Sequence, residues 1–181
     1  MKTILITSIL TVFSASALAL DGGFFAGVQG GTGKFKYTDT PGSTNTVGIM
    51  AGYMFNPRLG LEIGYKSLGS TTSNLVQNAD LKADATYLNV LLPLPLSESF
   101  SVSIHAGIAS VKTTGHRLAP ALATVSGTKT GFTGGFGAQY NFTKNIGVRV
   151  GYDGYRSEVS SGGVVTGTAV SDLSMGAVWT F

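Results

Sequence analysis

Hydrophobic and polar positions alternate over residues 131–154, on both sides of a short polar turn. Before the turn, one parity carries Phe132, Phe136, Ala138 and Tyr140, and the other carries Thr133, Gly135, Gly137 and Gln139. After the turn, Ile146, Val148, Val150 and Tyr152 alternate with Gly147, Arg149, Gly151 and Asp153. Successive side chains of a strand point to opposite faces, so this stretch predicts a β-hairpin with one apolar face and one small, polar face.

The chemistry of the two faces separates soluble from membrane-spanning β-proteins. A soluble sandwich buries its apolar face and exposes polar side chains, and it has little use for a polar face so rich in glycine. A transmembrane barrel has the opposite arrangement, with apolar side chains toward lipid and small or polar ones inside. The hairpin therefore favours a membrane barrel over a soluble, lipocalin-like carrier, whose interior would be apolar.

The same alternation recurs along the chain and predicts eight strands in all. The further apolar parities are Phe24, Ala26 and Val28; Val47, Ile49, Ala51, Tyr53 and Phe55; Leu59, Leu61, Ile63 and Tyr65; Leu88, Val90, Leu92 and Leu94; Phe100, Val102, Ile104, Ala106 and Ile108; and Leu173, Met175, Ala177, Trp179 and Phe181. We expect strands of about ten residues, the length of a tilted membrane-spanning strand. The sequence thus predicts an all-β fold, a transmembrane eight-stranded antiparallel up-and-down β-barrel.

The connections between these strands alternate between long and short. Long polar loops are predicted over Lys34–Ser43, Ser67–Ala79, Thr113–Gly127 and Ser157–Thr168, and short turns near Asn56–Arg58, Pro95–Ser99 and Asn141–Asn145. Long extracellular loops and short periplasmic turns are typical of outer-membrane barrels. An even number of strands places both termini on the periplasmic side.

The fourth strand leaves its register open. Tyr87 and Asn89 are expected inside the barrel, but Lys82 and Asp84 share the outward parity of Leu88. Either a β-bulge switches the register, or these charges lie above the lipid, where an outward charge costs little. The sequence alone does not decide between the two.

The first residues have the pattern of a secretory signal peptide. Lys2 supplies a positive charge, Ile4–Phe13 is a short apolar core, and Ala17-Leu18-Ala19 matches a small-x-small cleavage site. The apolar run is too short to span a bilayer, and no later segment has about 18 consecutive apolar residues. We therefore expect a signal peptide over residues 1–19 and an outer-membrane β-barrel domain over residues 20–181.

Composition excludes several other classes of protein. A chain of 181 residues with no cysteine has no disulfide framework and no thiolate metal site. The formal charge of +3 is too small to indicate a nucleic-acid partner. We expect one monomeric domain without a metal or cofactor.

The inward parity collects charged side chains. They are Glu62, Lys66, Arg149, Asp153 and Asp172, together with the polar residues His105 and Gln139. Because eight strands enclose a space just wide enough for side chains to fill, buried charges must pair with one another. One interpretation is a network of ion pairs that plugs the barrel. The other is a gate, in which Arg149 exchanges carboxylate partners, chiefly Glu62, and opens a narrow path.

Cations also flank the predicted loops. They are Lys34, Lys36, Lys112, Arg117 and Lys129. At the membrane interface such cations can meet the phosphates of lipopolysaccharide, and the alternative is a solvated rim. Loops on a rigid scaffold often carry function, so an adhesin or receptor role would belong to the long loops, whose sequence names no ligand.

Catalytic motifs are absent from the sequence. A lipid A deacylase needs a serine nucleophile, a histidine base and an orienting carboxylate. The two histidines are His105, which we expect to be a satisfied interior side chain, and His116, which lies in a predicted loop. The chain has no Gly-x-Ser-x-Gly elbow, no phosphate-binding loop and no cluster of metal ligands, so we expect no enzymatic activity.

Four segments resemble the OmpA/OmpX-like family of small outer-membrane barrels. They are Gly23–Phe35, Gly52–Gly69, Gly131–Tyr155 and Gly176–Phe181. The terminal Phe181, with Trp179 two residues before it, looks like the signal that the outer-membrane assembly machinery recognises. The peptidoglycan-binding domain of many OmpA proteins has no counterpart, so the resemblance implies the architecture and not that activity.

Residue patterns and resemblance together predict a non-enzymatic integral protein of the Gram-negative outer membrane. We expect it to contact lipid and lipopolysaccharide and to present its loops for adhesion, or to host or phage ligands. The alternatives are a minor pore or small-solute channel, and a lipid A-modifying enzyme.

Overall fold

The computed structural model describes residues 22–36, 42–73, 79–117, 124–161 and 164–181. They form eight strands: β1 (Gly23–Lys36), β2 (Gly42–Asn56), β3 (Leu59–Ser73), β4 (Ala79–Pro95), β5 (Phe100–Arg117), β6 (Thr124–Asn141), β7 (Ile146–Ser161) and β8 (Val164–Thr180). Each strand pairs antiparallel with the next, and β1 pairs with β8, so the sheet is a closed barrel. The predicted eight-stranded up-and-down barrel is confirmed. The expected signal peptide, residues 1–19, lies outside the described residues.

Within the described residues, no helix is long and apolar enough to cross a membrane.

The outward face of the barrel carries the large apolar side chains. Phe136, Ile104 and Trp179 have 61%, 60% and 51% of their surface exposed, as the alternation predicts. A soluble protein would bury residues of this kind, so the surface is complementary to hydrocarbon and not to water.

Aromatic rings are concentrated at the end of the barrel that holds the short turns and residues 22 and 181, which we call the turn end. Phe24 and Tyr53 meet edge to face at 4.8 Å between ring centroids, and Tyr140 and Phe142 do so at 5.2 Å. Trp179 and Phe181 extend this ring of aromatics around the barrel, with centroids 6.4 Å apart. Such a girdle is typical of the interface between hydrocarbon and lipid headgroups.

The strands are longer than expected at the opposite end, which we call the loop end. They run 14 to 18 residues, so the expectation of about ten residues each is wrong. Much of each predicted loop is strand: β5 and β6, for example, stay paired from Val111–Lys129 out to His116–Thr124. Strand pairing continues beyond the apolar band because backbone hydrogen bonds do not require apolar side chains. The sequence analysis assigned these extensions to loops because their residues are polar.

The pairing of β4 decides between the two alternatives for Lys82 and Asp84: the charges face outward. The pairing of β4 with β5 is continuous from Ala79 to Pro95, so β4 has no bulge. The irregularity lies in β3, between Ser67 and Ser70, where Gly69 has a φ of 83°. Glycine adopts this left-handed conformation without the steric cost that other residues incur. Lys82 and Asp84 therefore stay on the outward parity, at the loop end of the wall.

The interior is less polar than predicted. The expectation of small or polar side chains inside the barrel is incomplete, because two apolar clusters also lie in the lumen. The turn-end cluster consists of Phe25, Met50, Leu91 and Val178, with Met54 against it. The loop-end cluster consists of Leu68, Ala83, Ala85, Tyr87, Ala109, Val111, Tyr155 and Val170. A lumen that side chains fill has no water to hydrate polar groups, so apolar packing is favourable there as in any core.

Inward glycines make room for the largest of these side chains. A Cβ at Gly52 would collide with the Phe25 ring, and a Cβ at Gly64 would collide with the Tyr87 ring. The glycine on the inner face thus accommodates aromatic rings that reach across the lumen.

The outward apolar face generates a test by charge insertion. Ile104→Arg places a guanidinium in the middle of the apolar band, and we expect it to lower the free energy of unfolding by about 2–4 kcal/mol. Thr130→Arg, on an exposed outward position nearer the loop end, is the matched control, with an expected loss of about 0–1 kcal/mol. Denaturant unfolding in lipid vesicles measures both. Equal losses would contradict the assignment of the band.

Candidate functional site

The middle of the lumen is spanned by ion pairs between β3 and β7. The Arg149 guanidinium on β7 donates to the Glu62 carboxylate on β3 at 2.5 Å. Arg149 Nε also donates to Gln139 on β6 at 3.1 Å, and the guanidinium lies 5.3 Å from the Phe25 ring centroid. The sequence expectation named Glu62 as the main partner of Arg149, and the structure brings the two together.

A second bridge lies one layer nearer the loop end. Lys66, 1% exposed, donates to Asp153 at 2.9 Å and to Asp172 at 2.6 Å. Asp153 and Asp172 are directly opposite each other on β7 and β8. Like charges in that position repel, so the Lys66 ammonium stabilises a cross-strand pair that is otherwise unfavourable.

Polar neighbours complete the hydrogen bonding of this cluster. His105 Nε2 lies 2.6 Å from the second Asp153 oxygen, and the Thr46 hydroxyl donates to Asp172 at 2.6 Å. The Ser174 hydroxyl lies 3.4 Å from the Lys66 ammonium. Buried charges are tolerated only when they are paired and hydrogen-bonded, and each charge here meets both conditions.

These bridges follow a repeat in the sequence that the strand patterns alone did not reveal. Residues 46–66 align without a gap with residues 133–153, at the separation of 87 that both bridges span. The pairs Thr46/Thr133, Gly48/Gly135, Ala51/Ala138, Tyr53/Tyr140, Phe55/Phe142, Gly60/Gly147, Gly64/Gly151 and Tyr65/Tyr152 are identical. The charged positions have opposite signs: Glu62 corresponds to Arg149, and Lys66 to Asp153. Because β3 and β7 face each other across the lumen, equivalent residues of the repeat become ion-pair partners.

The ion pairs leave little free space. The cavity between Glu62, His105, Arg149 and Asp153 holds about 20 Å³, enough for about one water molecule. A vestibule of about 250 Å³ opens at the turn end and reaches Arg149, and the loop-end cluster packs on the other side of the ionic layer. The arrangement can hold charge in place across the barrel, but it leaves no wide passage among the described residues.

The predicted rim cations do not form one group. Lys34 and Lys112 are exposed on outward positions, whereas Lys129 is exposed on the inward parity, opposite Val111. The side chains of Lys36 and Arg117 lie outside the described part of the chain. The sequence argument missed Lys82, whose ammonium is 3.9 Å from Asp84, although its outward parity was visible in the alternation.

The last residues lie at the turn end. Trp179 and Phe181 are half exposed, and the Phe181 amide donates to the Phe24 carbonyl at 2.9 Å. The chain terminus is thus held against β1. In the described part of the chain, no three His, Asp or Glu side chains come close enough together to hold a metal ion.

Comparisons with known proteins agree with this architecture. A family model described as outer membrane protein beta-barrel domain matches residues 5–181. Comparison with curated proteins gives no match.

Solved structures of the same fold include three bacterial proteins. Neisserial surface protein A has a TM-score of 0.70 at 17% identity, covering 87% of this chain and 97% of that one. Ail, the attachment invasion locus protein of Yersinia pestis, solved in complex with the heparin analogue sucrose octasulfate, has 0.64 at 15%, covering 90% and 100%. The N-terminal barrel domain of Pseudomonas aeruginosa OprF has 0.56 at 17%, covering 86% and 97%. At these identities the similarity shows the fold alone.

The charge-reversed repeat generates a swap experiment. Glu62→Arg places two cations side by side in the lumen, and we expect a loss of about 3–5 kcal/mol in the free energy of unfolding. Adding Arg149→Glu restores an ion pair of reversed direction, so the double variant is expected to recover most of that loss. Glu98→Arg in an exposed turn is the control, expected to change stability by about 0.5 kcal/mol or less. A double variant no more stable than Glu62→Arg would contradict cross-barrel pairing.

The Lys66 bridge generates a second stability test. Lys66→Met leaves Asp153 and Asp172 facing each other without the ammonium, and we expect it to cost about 3–5 kcal/mol. Combining it with Asp172→Asn removes one of the repelling charges and is expected to recover part of the loss. Denaturant unfolding in vesicles measures both, and a Lys66→Met variant as stable as the native chain would contradict the assigned role.

Proposed function

The chain belongs to the family of outer membrane β-barrel proteins, and from that premise we propose that it is a non-enzymatic surface protein whose loop end binds ligands outside the cell. As a member of this family it is a transmembrane protein of the Gram-negative outer membrane. The loop end, where the paired strands extend beyond the apolar band, is then extracellular, and the turn end is periplasmic.

The single observation that carries the proposal is the closed interior. The central cavity between the cross-barrel ion pairs holds about 20 Å³ and is capped by the loop-end cluster, so the described residues leave no wide passage through the lumen. We infer that a barrel with so narrow an interior acts through the surface it presents. The wall beyond the apolar band supports this, because the outward positions of β5 and β6 there are polar: Ser110, Lys112, Thr128 and Thr130.

The names of two structural relatives favour an attachment role. One is a neisserial surface protein, and the other is the attachment invasion locus protein of Yersinia pestis, which was solved with a heparin analogue. For this chain we propose a host-surface or phage ligand, held by the connections at residues 74–78 and 118–123. Lys34 and Lys112, outward on opposite sides of the wall, are our candidates for contact with lipopolysaccharide phosphates.

The interior histidine supports a non-enzymatic role. His105 shares its small cavity with Asp153 and Ser103, residue types that also occur in hydrolytic triads. The space beside them accommodates about one water molecule and no acyl ester. We propose that His105 stabilises the ionic layer, and that Trp179 and Phe181 serve as the assembly signal.

A minor pore is the second candidate, favoured by the periplasmic vestibule of about 250 Å³ that reaches Arg149. Opening it would require Arg149 to leave Glu62 and the loop-end cluster to move. In planar bilayers we therefore expect small and infrequent currents at most. Large, steady currents would overturn the closed-interior argument.

Replacing the loop-end connections tests the proposed role of the surface in ligand binding. Residues 74–78 and 118–123 are each replaced by Gly-Ser segments of equal length, and we expect cells displaying the variants to lose at least about tenfold in binding to host extracellular matrix or in phage adsorption. Replacement of the periplasmic turn residues 96–99 by Gly-Ser is the matched control, expected to leave binding unchanged. Heat-modifiable gel mobility confirms that each barrel assembles. Unchanged binding by every assembled loop variant would overturn the proposal.

A further inference from the structure

The outward surface between β4 and β8 carries a groove that follows the strand register. One wall is the row Leu92, Ile104, Phe136, Tyr152 and Leu173, whose members are directly opposite one another on successive strands. The other wall is the row Leu94, Val102, Ala138 and Val150. Between them runs the row Pro93, Ser103, Gly137 and Gly151, whose side chains point inward or are absent, so backbone forms the floor.

Small residues make this groove deep. Gly137 and Gly151 are adjacent in the floor, and Ala138 is the smallest residue of the wall beside them. The Phe136 and Tyr152 rings, 5.6 Å apart, stand above the floor on the other side. The groove is open toward the lipid and holds about 680 Å³, and its lining is almost wholly apolar.

The position and length of the groove indicate which kind of molecule would bind in it. Both walls and the floor run from β4 to β7, which is three strand intervals, or about 14 Å along the surface at about 4.8 Å each. A hydrocarbon core of about 30 Å holds two acyl chains end to end, so one chain reaches about 15 Å. The groove lies in the apolar band of a membrane barrel, where acyl chains are the solvent. We propose that it is a binding site for one acyl chain of a membrane lipid.

The internal repeat supplies matched controls for this site. Tyr65 and Ala51 are the repeat equivalents of Tyr152 and Ala138, 87 residues earlier and on the other side of the barrel. Tyr65 is 46% exposed and Tyr152 is 41% exposed. Only the later member of each pair lines this groove, so the earlier members are controls of the same residue type at the same place along the strand.

Fluorescence quenching tests the proposal on the folded full chain. Trp179→Phe removes the single tryptophan, and either Tyr152→Trp or Tyr65→Trp then introduces one reporter. Each protein is titrated in detergent micelles with dibrominated phosphatidylcholine at a few mole per cent, where random mixing quenches weakly. We expect quenching at position 152 to saturate and to be at least about twofold greater than at position 65.

Filling the groove provides the second arm. Ala138→Phe, or Ala138→Leu if the larger ring impairs folding, is expected to reduce quenching at position 152 to the level at position 65, whereas Ala51→Phe is expected to leave it unchanged. Equal quenching at the two reporters would overturn the proposal, and so would equal effects of the two fillers. Weaker quenching at position 152, as a second copy covering the groove would cause, would overturn it as well.

Discussion

Closure of the sheet is the constraint on which the rest of this structure depends. A backbone amide or carbonyl left unpaired in hydrocarbon costs several kcal/mol, so a sheet spans a membrane only if it has no edge. The pairing of β1 with β8, from Phe25–Thr180 to Lys36–Ala169, removes that edge. Closing eight strands leaves a lumen just wide enough for side chains, and the narrowness of that lumen then determines which side chains fill it and how they pair.

The buried charges of the lumen form one layer between two apolar layers. An apolar layer around Phe25 and Leu91 lies below the ion pairs, and another around Leu68 and Val111 lies above them. Within the ionic layer each charge has partners on the opposite wall, so the attraction is made where water cannot screen it. The layers also explain the glycine content, because glycines on the inner face leave room for large side chains from neighbouring strands. Among the described residues, packing and electrostatics together therefore leave little free space in the lumen.

The fold was predictable from sequence because the bilayer imposes a strict two-residue period. Phe136, Val150 and Trp179 point outward as that period requires, and Glu62 and Arg149 point inward. The alternation shows which face of the sheet a residue occupies, but it does not show which residue lies opposite on the neighbouring strand. The Asp153–Asp172 pair and the roles of Thr46 and Ser174 could therefore be identified only once the strand register was known. The polar strand extensions were missed because no hydrocarbon constrains sequence beyond the membrane. The apolar clusters around Phe25 and around Leu68 were missed because an inward apolar residue looks like an interruption of the pattern.

The reversed charges of the repeat bear on how such a barrel can arise from duplication. If two identical four-stranded halves closed into one barrel, each inner-wall charge would face its own copy: glutamate would face glutamate, and lysine would face lysine. In the present chain one half has exchanged signs at both positions, so the halves attract each other and neither matches a twin of itself. Two chains that each contributed the half containing Glu62 and Lys66 would repel at both levels of the lumen. The same substitutions that stabilise the interior thus oppose exchange of half-barrels between copies, and they favour a barrel made from a single polypeptide.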